Sequence, residues 1–287
     1  MQISPLSKIF LDTREFLVKR DDLIDPYLAG NKYRKLYTLL QTPKEKYSTI
    51  ISYGGTQSNA MLAIAAMCHK KEWQFIYYSK PLSRRQKESR LGNYAKSLEL
   101  GMEHKELEDE IYRDFIASLG LTLDDKTFLI DQGGAALEAK DGVGVLADEL
   151  REQLKKYPHL QALATPSGTG TTALFLAQSL PEYRVYTTPC VGDALYLQKQ
   201  MSALGEIPEN LIILQPKKKY HFAKPYQEFY EIYKKLKQSG IEFDLLYAPA
   251  MWQALLEQTD EEIVYVHSGG VSGNDSMLER YKKFDKV

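Results

Sequence analysis

The feature that most constrains this chain is an alternation of two hydrophobic periods. Short runs rich in β-branched and aromatic residues recur, and each is followed by a longer segment whose apolar residues repeat at helical spacing. The first run is Ser48-Thr49-Ile50-Ile51-Ser52-Tyr53, and within residues 59–70 Met61, Leu62, Ile64 and Ala65 can line one helix face. The same pattern predicts strands at 74–78, 127–131 and 160–165, preceding helices at 84–100, 143–156 and 171–180. Further strands are expected at 184–187, 211–214, 243–247 and 263–267. Such alternation points to parallel sheet built from βαβ units, with helices covering both faces. At 287 residues, two α/β lobes are expected rather than one very large sheet. A barrel fits less well, because glycine turns follow only some of the strands and differ in chemical type.

Composition narrows the class. With 44% hydrophobic and 26% charged residues the chain is neither disordered nor collagenous. Thirty-seven Lys and Arg against 38 Asp and Glu leave a net charge of -1, so no overall field draws nucleic acid or anionic lipid. The Lys217-Lys218-Lys219 run beside Pro216 reads as a solvated loop. Residues 1–20 scatter Lys8, Asp12, Arg14, Glu15, Lys19 and Arg20 among apolar positions, which fits neither a signal peptide nor a membrane anchor. Cys68 and Cys190 alone make neither a disulfide framework nor a thiolate site, and a reducing cytoplasm is the expected location. Cys68 and Met67 are expected in a helix core. His69 and His104 lack ligand-spaced partners, so no metal is expected.

Three glycine turns and a lysine-bearing segment carry the chemistry. Ser167-Gly168-Thr169-Gly170-Thr171-Thr172 joins an apolar strand to a helix, where free N–H groups, hydroxyls and the helix dipole converge on an anion. It lacks a Walker lysine and the dinucleotide spacing, so a single phosphate fits better than a nucleotide. A tight turn that binds nothing is the plain alternative. Tyr53-Gly54-Gly55-Thr56-Gln57-Ser58-Asn59 offers a second helix mouth suited to a carboxylate, with simple N-capping by Ser58 or Asn59 as its alternative. His267-Ser268-Gly269-Gly270 ends the last strand and is weak by itself. Lys19-Arg20-Asp21-Asp22-Leu23 and Gly30-Asn31-Lys32-Tyr33-Arg34-Lys35-Leu36 supply lysines. A buried lysine at a glycine-lined site can have its pKa lowered enough to form a Schiff base. Such a lysine beside a lone-phosphate cradle suggests pyridoxal phosphate.

Taken in order, these segments resemble the pyridoxal-phosphate enzymes of the 1-aminocyclopropane-1-carboxylate deaminase and D-cysteine desulfhydrase family, a branch of the tryptophan-synthase-β-like, fold type II group. The matching pieces are residues 19–23, 30–36 and 54–59, Gly92-Asn93, Gly133-Gly134, the cradle from Ser167, Tyr247 and residues 267–270, which together span nearly the whole chain. The resemblance implies a two-lobed α/β fold with parallel-sheet-rich lobes and the site in the cleft. A large cofactor domain would comprise residues 1–44 and 132–287, with a small inserted domain at 45–131. Lys32 would hold the cofactor as a Schiff base and move the proton at the substrate Cα. Ser58 would be the catalytic serine and Asn59 a cofactor contact, while Gln57, Ser58 and Asn59 together would receive the substrate carboxylate. Ser167, Gly168, Thr169, Gly170, Thr171 and Thr172 would hold the cofactor phosphate, and Tyr247 would stand beside the ring. A homodimer is usual in the family.

The chain departs from the family after Tyr247, reading Ala248-Pro249-Ala250 where the family has Glu or Thr, commonly followed by Gly-Lys. Ala248 cannot hydrogen-bond a pyridine nitrogen, which argues against efficient cyclopropane opening. Ser268 replaces the family's usual Thr, and its hydroxyl is the candidate partner for that nitrogen. The expected reaction is β-elimination from a small amino acid, D-cysteine or a related D-amino acid, giving pyruvate and ammonia. The alternatives are the cyclopropane deaminase reaction giving 2-oxobutanoate, and a non-catalytic protein that binds pyridoxal phosphate or an amino acid. Neither nucleic acid nor membrane is an expected partner.

Overall fold

The computed structural model describes residues 3–28, 30–88, 91–134, 136–282 and 284. Its strands are β1 (Leu6–Leu11), β2 (Arg14–Lys19), β3 (Thr49–Tyr53), β4 (Gln74–Ser79), β5 (Met102–Glu106), β6 (Thr127–Ile130), β7 (Ala162–Ala164), β8 (Arg184–Thr187), β9 (Leu211–Ile213) and β10 (Ile263–Val266). The α-helices are α1 (Asn31–Lys35), α2 (Tyr37–Gln41), α3 (Asn59–Lys71), α4 (Arg84–Glu88), α5 (Gly92–Glu99) and α6 (Asp109–Ser118). They continue as α7 (Ala139–Leu154), α8 (Thr171–Ser179), α9 (Ala194–Ser202), α10 (Gln227–Gln238), α11 (Ala248–Gln258) and α12 (Asn274–Tyr281). Two sheets result, one of six strands in the order β1-β2-β10-β7-β8-β9 and one of four in the order β5-β4-β3-β6. Only the β1–β2 pair is antiparallel among these strands.

The central strands of the large sheet are buried on both faces, as parallel strands between helix layers must be. Along β10, Val264 and Val266 face a core built with α7 and α8, while Ile263 and Tyr265 face a second core that contains Trp252 of α11. The small sheet packs on α3, whose residues Met61 to Cys68 are all buried, and Leu28, Leu36 and Leu39 from the N-terminal side join that core. Cys68 and Met67 lie there as expected. No helix among the described residues is long and apolar enough to cross a membrane.

Four local expectations are corrected. The helix expected over 84–100 is two helices, α4 and α5; Ser89 and Arg90 between them lie outside the described residues. Gly92 opens α5 at φ +80°, and a Cβ there would come within 3.1 Å of the Ser276 side chain. Residues 243–247 are not a strand. The Asp244 carboxylate accepts from the N–H groups of Leu246 at 2.9 Å and Tyr247 at 2.6 Å, and Asn274 Oδ1 accepts from Leu245 N–H, so side chains take the hydrogens a ladder would use. Helix α7 starts at Ala139 rather than at Val143, running through two glycines. Gly142 is required there, since its Cβ would stand 1.9 Å from the Arg34 carbonyl oxygen on α1. The β1–β2 hairpin and β5 were not expected at all: their mixed charges hide the period-2 pattern.

Candidate active site

Helix α1 is short, and close packing sets its place. Gly30, at φ +60°, lets it meet the turn after β10, where a Cβ would lie 2.1 Å from the Ser268 backbone. Gly142 does the same on the α7 side. Helical spacing then puts Lys32 and Lys35 on one face and Arg34 on another. Arg34 is fully buried and donates to both oxygens of Asp21, at 2.8 and 2.9 Å, and to both oxygens of Glu149, each at 2.8 Å. Lys19 donates to the same Glu149 at 2.7 Å and to the Ser4 carbonyl at 2.7 Å. Every charge in this buried cluster has a partner, as burial of charge demands.

On the opposite face, Lys32 and Lys35 enter a cavity of about 620 Å³. Its walls are the segments following β3, β4, β6, β7 and β10, which places it outside the carboxyl ends of the strands, where open α/β sheets bind ligands. Burial lowers the Lys32 amine to a pKa of about 8, against an opposing pull from the Asp244 charge, and its Nζ donates to Asn31 Oδ1 at 2.8 Å. Lys35 is pushed well below its ordinary value by burial, and Lys32 adds to the shift. Its Nζ donates to the Gly133 carbonyl at 3.0 Å and to Thr169 Oγ1 at 3.4 Å.

The residues expected at the site, Lys32, Gln57, Ser58, Asn59, residues 167–172, Tyr247 and Ser268, all line this cavity, whereas Gly92, Asn93, Gly134, Gly269 and Gly270 do not. At the mouth of α3, Ser58 is the N-cap, and its Oγ accepts from Ala60 N–H at 3.2 Å and Met61 N–H at 3.3 Å. Asn93 donates to the Gln57 carbonyl at 3.2 Å and to Asn59 Oδ1 at 2.7 Å, and accepts from Ser272 at 3.0 Å. Gln57 Oε1 accepts from Ser276 at 3.0 Å. A Cβ on Gly270 would lie 2.2 Å from Asn59 Nδ2, so this glycine makes room for the asparagine.

At the mouth of α8 the N-cap is Gly170, at φ +77° and with no side chain to satisfy the helix. The Ser167 hydroxyl turns away and donates to Thr187 Oγ1 at 2.6 Å, because that oxygen spends its own hydrogen on the Thr165 carbonyl. Thr169 and Thr171 share a hydrogen bond of 2.9 Å, and Thr172 Oγ1 is buried without a partner. Open N–H groups, an orphaned hydroxyl and the Lys35 amine converge as a phosphate requires. Tyr247 is half-buried beside Gly168, its phenol raised by burial with Asp244 adding to the effect. Ala248 packs into the core behind it, whereas Ser268 lines the cavity.

Sequence reasoning missed Asn31, Lys35 and the bracing role of Asn93. Lys35 could have been found from its spacing, three residues after Lys32 on one helix face.

No protein-family model matches the chain. Two curated relatives, from Thermotoga maritima and Pyrococcus furiosus, each bear the name "Putative 1-aminocyclopropane-1-carboxylate deaminase" and are 25% identical to it. The alignments cover 89% of this chain and 88% of the first relative, and 90% and 85% for the second. Among solved structures, an ACC deaminase homologue superposes with a TM-score of 0.76 at 20% identity, over 97% of this chain and 94% of that one. A hydrogen sulfide-producing enzyme from Fusobacterium nucleatum gives 0.65 at 14% identity, over 94% and 96%. A threonine deaminase from Solanum lycopersicum gives 0.64 at 15%, over 97% and 83%. The chain has the fold of these proteins, the two-sheet α/β fold of the fold type II group.

Proposed function

We propose that this protein is a pyridoxal-phosphate-dependent lyase or deaminase of small amino acids, and that its reaction is β-elimination from D-cysteine or a related D-amino acid. The observation that carries the reading is Lys32, an amine lowered to about 8 in a cavity that two helix N-termini share. The relatives' names support the class. The cradle fits the cofactor phosphate: the N–H groups of α8, Thr172 Oγ1 and Lys35 would hold it, and Ser268 would meet the ring. Bound there, pyridoxal phosphate supplies an electron sink for the bond broken at Cα.

The chain's own residues divide the remaining work. Lys32 would hold the cofactor, and its Nζ moves the proton at Cα. The turn 57–59 binds and orients the substrate carboxylate. Tyr247 keeps its proton across the working range and acts as a donor, not a base. Breaking Cα–H and Cβ–S of cysteine with one water consumed gives pyruvate, ammonia and hydrogen sulfide. A homodimer, a cytoplasmic location and a small domain at 45–131 belong to the same proposal. The second reading is cyclopropane ring opening to 2-oxobutanoate, favoured by the relatives' names and opposed by Ala248.

The test is borohydride trapping of added pyridoxal phosphate with peptide mapping, followed by pyruvate and sulfide assays on D-cysteine against Lys32→Ala. An adduct on Lys32, with both products from the wild type alone, is expected. 2-Oxobutanoate from the cyclopropane amino acid and no pyruvate from D-cysteine would move the assignment to the second reading. An adduct without products from either substrate would make this a binding protein, and no adduct on Lys32 would overturn the proposal.

A further inference from the structure

Strand β4 alternates its side chains, so Phe75, Tyr77 and Ser79 turn inward together. Tyr77 differs from its neighbours in the small-sheet core because a phenol carries a hydroxyl beyond the apolar layer, and that hydroxyl needs a partner. It donates to the Gly55 carbonyl at 3.1 Å, and the same carbonyl accepts from Ser58 N–H at 3.1 Å. A Cβ on Gly54 would stand 2.9 Å from the Tyr77 oxygen, so the glycine leaves the space that the phenol uses. The turn that bears Gln57, Ser58 and Asn59 is thus braced from behind by a fully buried side chain that does not line the cavity.

The Ser58 oxygen already accepts two N–H groups at the start of α3, so what this hydroxyl still offers is its hydrogen. Burial holds the Tyr77 phenol protonated well above its usual range, with Tyr112 and Tyr247 adding to the shift and the Ser58 hydroxyl opposing it. Tyr77 has one hydrogen, which goes to Gly55.

We propose that Tyr77 is a positioning residue for substrate recognition: its hydroxyl clamps the turn 54–59 from behind through the Gly55 carbonyl, which the Ser58 N–H shares. The ligand in this proposal rests on the amino-acid reading of the cavity; the clamp does not. A preset turn meets a carboxylate without first being ordered, which raises affinity by removing an entropic cost. Lys32 and the α8 cradle sit on other elements and do not depend on the clamp.

Tyr77→Phe keeps the ring and removes only the oxygen. In the cofactor-free full chain, amide hydrogen exchange over residues 54–61 is expected to be about fivefold faster in the variant and unchanged in α8. In cofactor-loaded protein, the affinity for alanine, tested as both enantiomers because it has no leaving group, is read from the visible spectrum. It is expected to fall about fivefold while the borohydride-trapped yield on Lys32 matches the wild type. Ser58→Ala is expected to weaken alanine binding too, and the two losses to combine less than additively in the double variant, because both act through the same turn. Unchanged exchange at 54–61, unchanged alanine affinity or simple additivity in the double variant would overturn the role of Tyr77. If the wild type holds no cofactor, the amino-acid reading falls, and the exchange measurement alone still decides the clamp.

Discussion

The two helix mouths that face the cavity are built from similar residues and finished differently. The mouth of α3 is closed by its own side chain, since Ser58 satisfies two N–H groups and Asn93 braces the residues on either side. The mouth of α8 is left open: a glycine caps it, Ser167 turns away, and Thr172 keeps a buried hydroxyl without a partner. An open mouth with an orphaned donor is at its best only when an anion fills it, which suits a ligand that stays. A closed mouth keeps its shape between turnovers, which suits one that comes and goes. On the proposed function these are the cofactor phosphate and the substrate carboxylate.

The largest effect should come from distorting the open mouth at the glycine that caps it. In Gly170→Val the new Cβ would lie 2.3 Å from Met201 at a φ of +77°, so strain and overpacking together should cost about 3 kcal/mol in denaturant unfolding, and inorganic phosphate should no longer raise the midpoint. A midpoint that still rises with phosphate would place the anion elsewhere.

Lys32 lies between the mouths and reports on both. In cofactor-free protein its capture of pyridoxal phosphate should slow about tenfold for each pH unit below its pKa of about 8 and level off above it. Phosphate in the α8 cradle should shift that midpoint upward, because a nearby anion favours the charged amine. For stability the sign is fixed by the lowered value. The unfolded chain keeps a proton that the folded chain releases between about pH 8 and the ordinary 10.5, so this group's contribution is least favourable below pH 8 and improves as pH rises through that window. A capture rate flat from pH 6 to 9 would show that burial does not set the amine.

The sharpest contrast needs only small effects. Ser58→Ala should destabilise the ligand-free protein by about 1 kcal/mol, the usual loss for a capping hydroxyl. Thr172→Val should leave ligand-free stability unchanged within about 0.5 kcal/mol, because it removes a hydroxyl that has no partner, yet weaken phosphate binding by about fivefold. Equal destabilisation by both would erase the distinction between the mouths.

The parts of this design that could be read from sequence are those written in local pattern. The β3 run and the glycine turn before α3 are contiguous, and the cradle from Ser167 joins its strand to its helix without a break. What was not legible depends on partners far away in the chain. Residues 243–247 look like a strand until Asp244 and Asn274 take their N–H groups. Gly142 looks like a helix breaker until Arg34 of α1 arrives against it. Tyr77 belongs to no motif, and only the three-dimensional position of its oxygen, behind Gly54 and Gly55, distinguishes it from any other aromatic in a strand. Lys35 was visible as a residue and silent as a function, because its meaning lies in Gly133 and Thr169.

The mounting of α1 also ties the cavity to distant parts of the chain. Glu149 grips Arg34, β10 pairs with β2, and the Ser268 backbone seats Gly30, so the helix that carries Lys32 is held in place by segments far along the sequence. The lowered amine is therefore a property of the assembled fold and not of its own short helix: loosening any of these anchors should let water back to Lys32 and return its pKa toward the ordinary value.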